Sequence, residues 1–96
     1  MHVEVTQEDI DAGIRDMCSG CPVARAVRRA ANTRTARVDY ERIGILSGDK
    51  ILVYFVPPDV SKIIRDYDEQ VRPMQPFSFN VEVNHAYTPS ELATLA

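Results

Sequence analysis

The chain has few cysteines and no long hydrophobic run. Its 96 residues include two cysteines, Cys18 and Cys21. No stretch approaches the roughly 20 apolar residues that a helix needs to cross a bilayer, and the N-terminus has no basic segment followed by an apolar one. Two cysteines so close together cannot link distant elements, as the disulfides of secreted domains do. We therefore expect a soluble protein of a reducing, cytoplasmic compartment with no membrane partner.

Motifs of the common catalytic sites are also absent. The sequence holds no glycine-rich phosphate-binding loop, no histidine and glutamate at the spacing of a metal-binding helix, and no serine in a nucleophile turn. Asp66, Asp68 and Glu69 form an acidic cluster, but such a run after an amphipathic helix is typical of a solvated helix end. The sequence therefore favours a protein that is not an enzyme.

The patterning predicts one compact domain, residues 1–96. The length and an apolar content of 45 % suffice for a single core, and neither a linker nor a repeat divides the chain. Strand and helix patterns predict an α+β fold, with a small, mostly antiparallel sheet of about four strands and helices packed on one face. The predicted strands are residues 2–6, residues 35–45 with a bulge or break at Glu41-Arg42, residues 51–56, and residues 77–83.

Local signals place the helices and the tightest turn. Thr6 can cap a short first helix, and Pro22 suits the first position of a second helix that ends near Asn32. Gly48 can take the positive φ of a two-residue hairpin turn. A third helix follows Pro57-Pro58, and a short C-terminal helix is predicted from Thr88 onward. Residues 51–56 are apolar at both odd and even positions, so both faces of this strand are apolar. We therefore expect a central strand that is covered on both faces or that packs against a partner.

The two cysteines stand just before the second helix, in the run Cys18-Ser19-Gly20-Cys21-Pro22. A helix N-terminus favours a thiolate or a metal-bound sulfur, and Cys21 is the expected cap. Three interpretations stay open: a redox-active pair, half of a zinc site completed by His2 and His85 or by a second copy of the chain, and two small half-buried residues that shape the turn. The sequence predicts no other cofactor.

Arginines form the second candidate site. Residues 17–38 hold five arginines and no acidic residue, although the whole chain carries a net charge of −3. Such a segment predicts either an anion-binding or partner-binding patch, or a set of internal partners for the acidic neighbours. The candidate residues of this patch are Arg25, Arg28, Arg29, Arg34 and Arg37.

Several segments resemble a group of short uncharacterised proteins from bacteriophages and related mobile elements. The most specific is the run Cys18-x-x-Cys21-Pro22-Val23-Ala24-x-Ala26, and the similarity covers most of the chain before His85. The other segments are Val5-Thr6-Gln7-Glu8-Asp9-Ile10, Gly13, Pro57-Pro58, Tyr67-Asp68 and Pro76-Phe77-Ser78-Phe79. The resemblance implies a setting in the host cell cytoplasm and no mechanism.

That setting favours a small accessory protein that binds and modulates a host protein without catalysis, because such a role leaves no catalytic motif. It would use the arginine face or an edge strand, and a sheet edge would also allow a homodimer. Two alternatives stay open: a zinc-stabilised or redox-responsive domain built on the cysteine pair, and a nucleic-acid or nucleotide binder that uses the arginine face.

Overall fold

The computed structural model describes residues 1–88, which form three helices and six strands. The predicted α+β class is confirmed. The helix predicted from Thr88 onward lies, beyond that first residue, outside the described residues. The elements, in chain order, are β1 (His2–Val5), α1 (Gln7–Ala12), α2 (Pro22–Ala31), β2 (Ala36–Val38), β3 (Arg42–Ser47), β4 (Lys50–Phe55), α3 (Pro58–Asp68), β5 (Phe77–Asn80) and β6 (Val83–Tyr87).

The strands form two antiparallel sheets, one of four strands in the order β2-β3-β4-β6 and one of two strands, β1-β5. The second sheet arises because the single strand predicted at residues 77–83 is divided. β5 pairs with β1, Val81 donates its N–H to the carbonyl of Met1, and the chain then enters the other sheet beside β4. Val81 is buried whereas Val83 is 52 % exposed, so the alternating pattern crosses from one sheet to the other.

A reversal of the chain replaces the predicted bulge or break at Glu41-Arg42. β2 and β3 are antiparallel neighbours, and Asp39 accepts hydrogen bonds from the N–H groups of Glu41 and Arg42 in the turn between them. The buried side chains switch from even to odd positions after Tyr40 because the chain turns there into a hairpin. The next hairpin, between β3 and β4, turns at Gly48 with a φ of +63°, as predicted.

Helix ends follow the local signals. Thr6 and Asp9 form a reciprocal capping box at the start of α1, and the Cys21 sulfur accepts from the N–H of Ala24 at the start of α2. Asn32 ends α2 in the left-handed conformation. The buried side of α2 consists of small residues and contacts β1, β2 and α1, whereas Ala30 is exposed although it follows Ala26 and Val27 at helical spacing. Its buried apolar members are Val23, Ala24, Ala26 and Val27.

Within residues 1–88, only one side of the four-stranded sheet is buried. Ala36, Val38, Ile43, Ile45 and Tyr54 point into the core and are buried. The opposite parity makes what we call the outer face. β4 is a central strand, as predicted, but residues 1–88 cover only one of its faces, so of the two alternatives only a partner is left to cover the other. The outer face consists of Arg37 from β2, Arg42, Gly44 and Leu46 from β3, Ile51, Val53 and Phe55 from β4, and His85 and Tyr87 from β6.

Candidate functional site: the arginines, the cysteine pair and the outer face

Two of the predicted patch arginines are internal partners of one buried carboxylate. Arg29 donates to both oxygens of Asp9, at 2.9 and 2.6 Å, and also to the carbonyl of Glu4. The Arg25 Nε lies 3.6 Å from the same carboxylate. Asp9 is only 1 % exposed, and the hydrogen bonds from Arg29 lower its pKa to about 2 against the opposing effect of burial. These arginines fasten α2 to α1.

The other three predicted arginines do not join them. Arg28 donates to the carbonyl of Ser19 and so holds the cysteine turn against α2. Arg34 lies between α2 and β2, and Arg37 lies on the outer face of the sheet. The structure therefore separates the predicted patch into a structural group on α2 and two exposed arginines, Arg34 before β2 and Arg37 on the sheet. Arg42, which sequence analysis did not select, lies on the outer face beside Arg37.

The cysteines lie at one cavity but in different surroundings. Cys18 is exposed and Cys21 is buried, and both line a cavity of about 130 Å³ together with Tyr40 and Asp68. Burial raises the pKa of the Cys21 thiol. Burial and the hydrogen bond that the Tyr40 hydroxyl donates to Asp68, at 3.0 Å, raise the pKa of Tyr40 to about 12. A reagent from solvent therefore meets Cys18 first.

The histidines do not complete a zinc site with these sulfurs. His2 lies in β1, where its Nδ1 is 2.8 Å from the amide oxygen of Asn80, whereas His85 lies in β6 and stacks at 4.1 Å on Tyr87. Within residues 1–88, no group of three or more histidine, cysteine or acidic side chains is arranged to hold a metal ion. A shared site between two copies of the chain is the form of the zinc hypothesis that fits this geometry.

The outer face combines exposed apolar side chains with the two arginines Arg37 and Arg42. Leu46 is 45 % exposed and Phe55 is 55 % exposed, while Ile51 and Val53 are half-buried between them. Among the strand residues that the structure describes, Phe55 has the most exposed large apolar side chain. This face is therefore a preformed apolar surface on a regular sheet.

A shallow cleft of about 230 Å³ opens at the centre of this face. Arg37, Gly44 and Val53 follow one another directly across three strands, and Arg42 closes the cleft on the β3 side. Gly44 makes the depression, because no heavy atom beyond its chain neighbours lies within 4 Å of the position that a Cβ would take. Cys18 also lines the cleft, so the same residue borders both cavities.

Two sequence features indicate this face in retrospect. β4 is apolar on both parities, and no helix or strand of residues 1–88 forms a second layer over the outer face. Gly44, the one small residue in β3 that no turn requires, leaves a gap among larger neighbours. Both features become interpretable only once the pairing of the strands is known.

The comparisons with known proteins leave the fold and the geometry as the basis for function. No protein family model, curated protein or solved structure matches the chain. In residues 1–88, no helix combines the length and the apolar character that a membrane crossing requires.

Proposed function

We propose that the chain is a small accessory protein of the bacteriophage type that binds a host protein through its outer face and modulates it without catalysis. The observation that supports this proposal is the apolar outer face, with Leu46 and Phe55 exposed towards its two ends and Val53 between them. The bacteriophage setting comes from the sequence resemblance, most specifically the run from Cys18 to Ala26.

Energetics favour a partner for such a face. Covering a large apolar side chain contributes about 1.5–3 kcal/mol, and contiguous apolar patches on soluble proteins commonly mark interaction sites. The fold itself does not need these side chains, because the core side of the same strands is already filled by Ile43, Ile45 and Tyr54. The exposed apolar side chains on the outer face are therefore available to pack against a partner.

Capture from host lysate with matched variants tests the proposal. The full chain, a Leu46→Asp/Phe55→Asp variant and a Val71→Asp control are immobilised in parallel. Val71 is 63 % exposed and lies after α3, away from the outer face, so it controls for the loss of an exposed apolar residue and the added charge.

We expect a host protein that the wild type and the Val71→Asp control enrich equally and that the double variant does not. Adding the purified chain should then change the activity of that host protein. Recovery of the same proteins by all three forms, or of no enriched protein by any, would contradict the proposal.

A redox-responsive or zinc-stabilised domain is the second candidate, because both cysteines line one cavity. In that case the purified protein forms a Cys18–Cys21 disulfide with a mild disulfide oxidant, or carries zinc at a stoichiometry that fits four sulfurs from two copies. Thiol counting, elemental analysis and a mass measurement in solution distinguish these forms. Two free thiols after oxidant and no bound metal would remove this candidate.

The nucleic-acid alternative draws less support from the geometry. Asp9 occupies Arg25 and Arg29, so the helix face that was expected to bind phosphate is largely neutralised. Of the other exposed arginines, Arg37 and Arg42 lie together on the sheet. Binding of nucleic acid at these arginines is one possible result of the peptide-binding experiment. It would favour a nucleic acid over an acidic protein segment as the partner.

A further inference from the structure

We propose that the cleft at Gly44 binds a carboxylate of the partner protein, carried by an acidic residue that stands between apolar ones. This inference rests on the proposed function and specifies which chemistry the outer face recognises. It depends on the juxtaposition of Arg37 and Arg42 around an open depression with Val53 at its floor.

The two guanidinium groups are placed to act on one anion. Arg37 lies directly opposite Gly44, and Arg42 precedes Gly44 by two positions on the same face, so the two arginines are diagonal neighbours. Diagonal side chains on adjacent antiparallel strands begin about 7–8 Å apart, within reach of long side chains. Guanidinium groups match the planar geometry of a carboxylate and bind it through paired N–H donors.

Neither guanidinium is used within the described part of the chain. No ion pair or side-chain hydrogen bond joins Arg37 or Arg42 to any of residues 1–88, whereas Arg29 binds Asp9 and Arg15 donates to the carbonyl of Tyr67. Other arginines are thus held by hydrogen bonds or ion pairs within the protein, whereas the guanidinium groups of these two remain available next to each other.

The charge balance of the cleft favours an anion. Asp39 is the one acidic residue among its lining residues, and its Oδ1 already accepts the N–H groups of Glu41 and Arg42. Two guanidiniums against one carboxylate leave the cleft with one net positive charge. One additional carboxylate neutralises it, which fits a single acidic side chain better than a chain of phosphates.

The surroundings favour a protein segment over a nucleic acid. Val53 in the cleft and Leu46 and Ile51 beyond it offer aliphatic surface, which suits the apolar side chains of a protein segment. The chain as a whole carries a net charge of −3, so an extended polyanion would be repelled beyond the cleft. An acidic residue flanked by apolar ones matches both parts of the face.

The test begins with a displayed library of random peptides, selected on the immobilised full chain. We expect the enriched peptides to share an Asp or Glu between apolar residues. A fluorescent copy of an enriched peptide is then titrated by anisotropy with the wild type, Arg37→Ala, Arg42→Ala and Gly44→Val. Arg72→Ala, which removes an exposed arginine outside the cleft, is the matched control.

Each variant has a defined expected result. Loss of a charge-assisted pair should weaken binding about tenfold or more for Arg37→Ala and Arg42→Ala, and Arg72→Ala should bind as the wild type does. Gly44→Val should abolish binding by filling the depression. It should not unfold the sheet, because Gly44 lies in a strand without positive φ and its Cβ would meet no atom. Exchanging the peptide's acid for its amide should weaken binding to the wild type and to Arg72→Ala more than it weakens binding to Arg37→Ala or Arg42→Ala.

Three results would overturn the inference. The first is a set of enriched peptides without an acidic residue, and the second is a peptide affinity that the cleft variants leave unchanged. The third is binding of a labelled single-stranded oligothymidylate at low salt, if Arg37→Ala abolishes that binding. Peptides that Phe55→Asp displaces but the cleft variants do not would refute the carboxylate while leaving the outer face as a protein-binding surface. Failure of the proposed function itself would appear instead in the lysate capture.

Discussion

Replacing Asp9 by Asn should destabilise the protein and remove part of its sensitivity to acid. The Asp9 carboxylate accepts from the N–H of Thr6 and from both outer nitrogens of Arg29, and it is almost fully buried. Asn keeps the size of the side chain and can still accept from Thr6. The substitution therefore isolates the negative charge, which is what Arg29 and Arg25 bind.

The magnitude follows from the pKa. The Asp9 pKa is lowered from 3.8 to about 2 in the folded protein, chiefly by the hydrogen bonds from Arg29. Each pKa unit corresponds to about 1.4 kcal/mol, so ionised Asp9 stabilises the fold by roughly 2 kcal/mol at neutral pH. Since the folded pKa lies below the unfolded one, this contribution is complete well above pH 4 and disappears as the pH falls towards 2. Roughly half of it should be lost by pH 3.

Urea unfolding at several pH values measures both effects. At pH 7, Asp9→Asn should lower the free energy of unfolding by roughly 2 kcal/mol or more, because the substitution also leaves Arg29 without its buried partner. Between pH 5 and pH 2.5, the wild type should lose more stability than the variant does. Glu8→Gln removes an exposed acidic residue from the same helix and serves as the control. Parallel pH curves for the wild type and Asp9→Asn would refute the reasoning.

Three further predictions concern single positions. Gly13→Ala should destabilise the protein by about 1–3 kcal/mol, since its Cβ would lie 2.5 Å from the Pro22 ring; a melting temperature equal to the wild type's would contradict this close approach. Gly48→Ala should cost about 1 kcal/mol because the residue has a φ of +63°, and Gly48→Asn should recover part of that loss in the same thermal melt. In a maleimide labelling time course, Cys18 should react at once and Cys21 only at the rate of global unfolding, since one thiol is exposed and the other is buried; equal rates would refute the assigned burial.

Sequence patterns predicted the features that depend on neighbouring residues. The Thr6 cap, the Cys21 cap, the start of α2 at Pro22 and the turn at Gly48 are all present, because each depends on hydrogen bonds or backbone angles within a few residues. The class of the fold followed from the same periodicities. The division of residues 77–83 between two sheets did not, since alternation describes a strand but not its partner.

The candidate site was harder to predict because it depends on pairing across the chain. Arg29 and Asp9 are 20 residues apart, and a list of charges shows both without showing that they bind each other. Arg37 and Arg42 stand in one predicted strand with a bulge or break at Glu41-Arg42, and only the hairpin between β2 and β3 makes them cross-strand neighbours. The sequence identified arginine as the relevant residue type, whereas strand register determined which arginines remain available.

The two candidate functions meet at Cys18. Its carbonyl accepts the N–H of Val38 at 2.8 Å, which ties the cysteine turn to the outer edge of β2, and its side chain borders both the cavity shared with Cys21 and the cleft at Gly44. A disulfide to Cys21 would draw the Cys18 sulfur towards the first cavity and so change one wall of the cleft. Thermodynamic linkage then makes the effect reciprocal: if oxidation alters peptide affinity by some factor, bound peptide alters the dithiol–disulfide equilibrium by the same factor. Peptide titrations in reductant and in mild oxidant therefore measure whether the oxidation state of the two thiols changes the peptide affinity of the outer face.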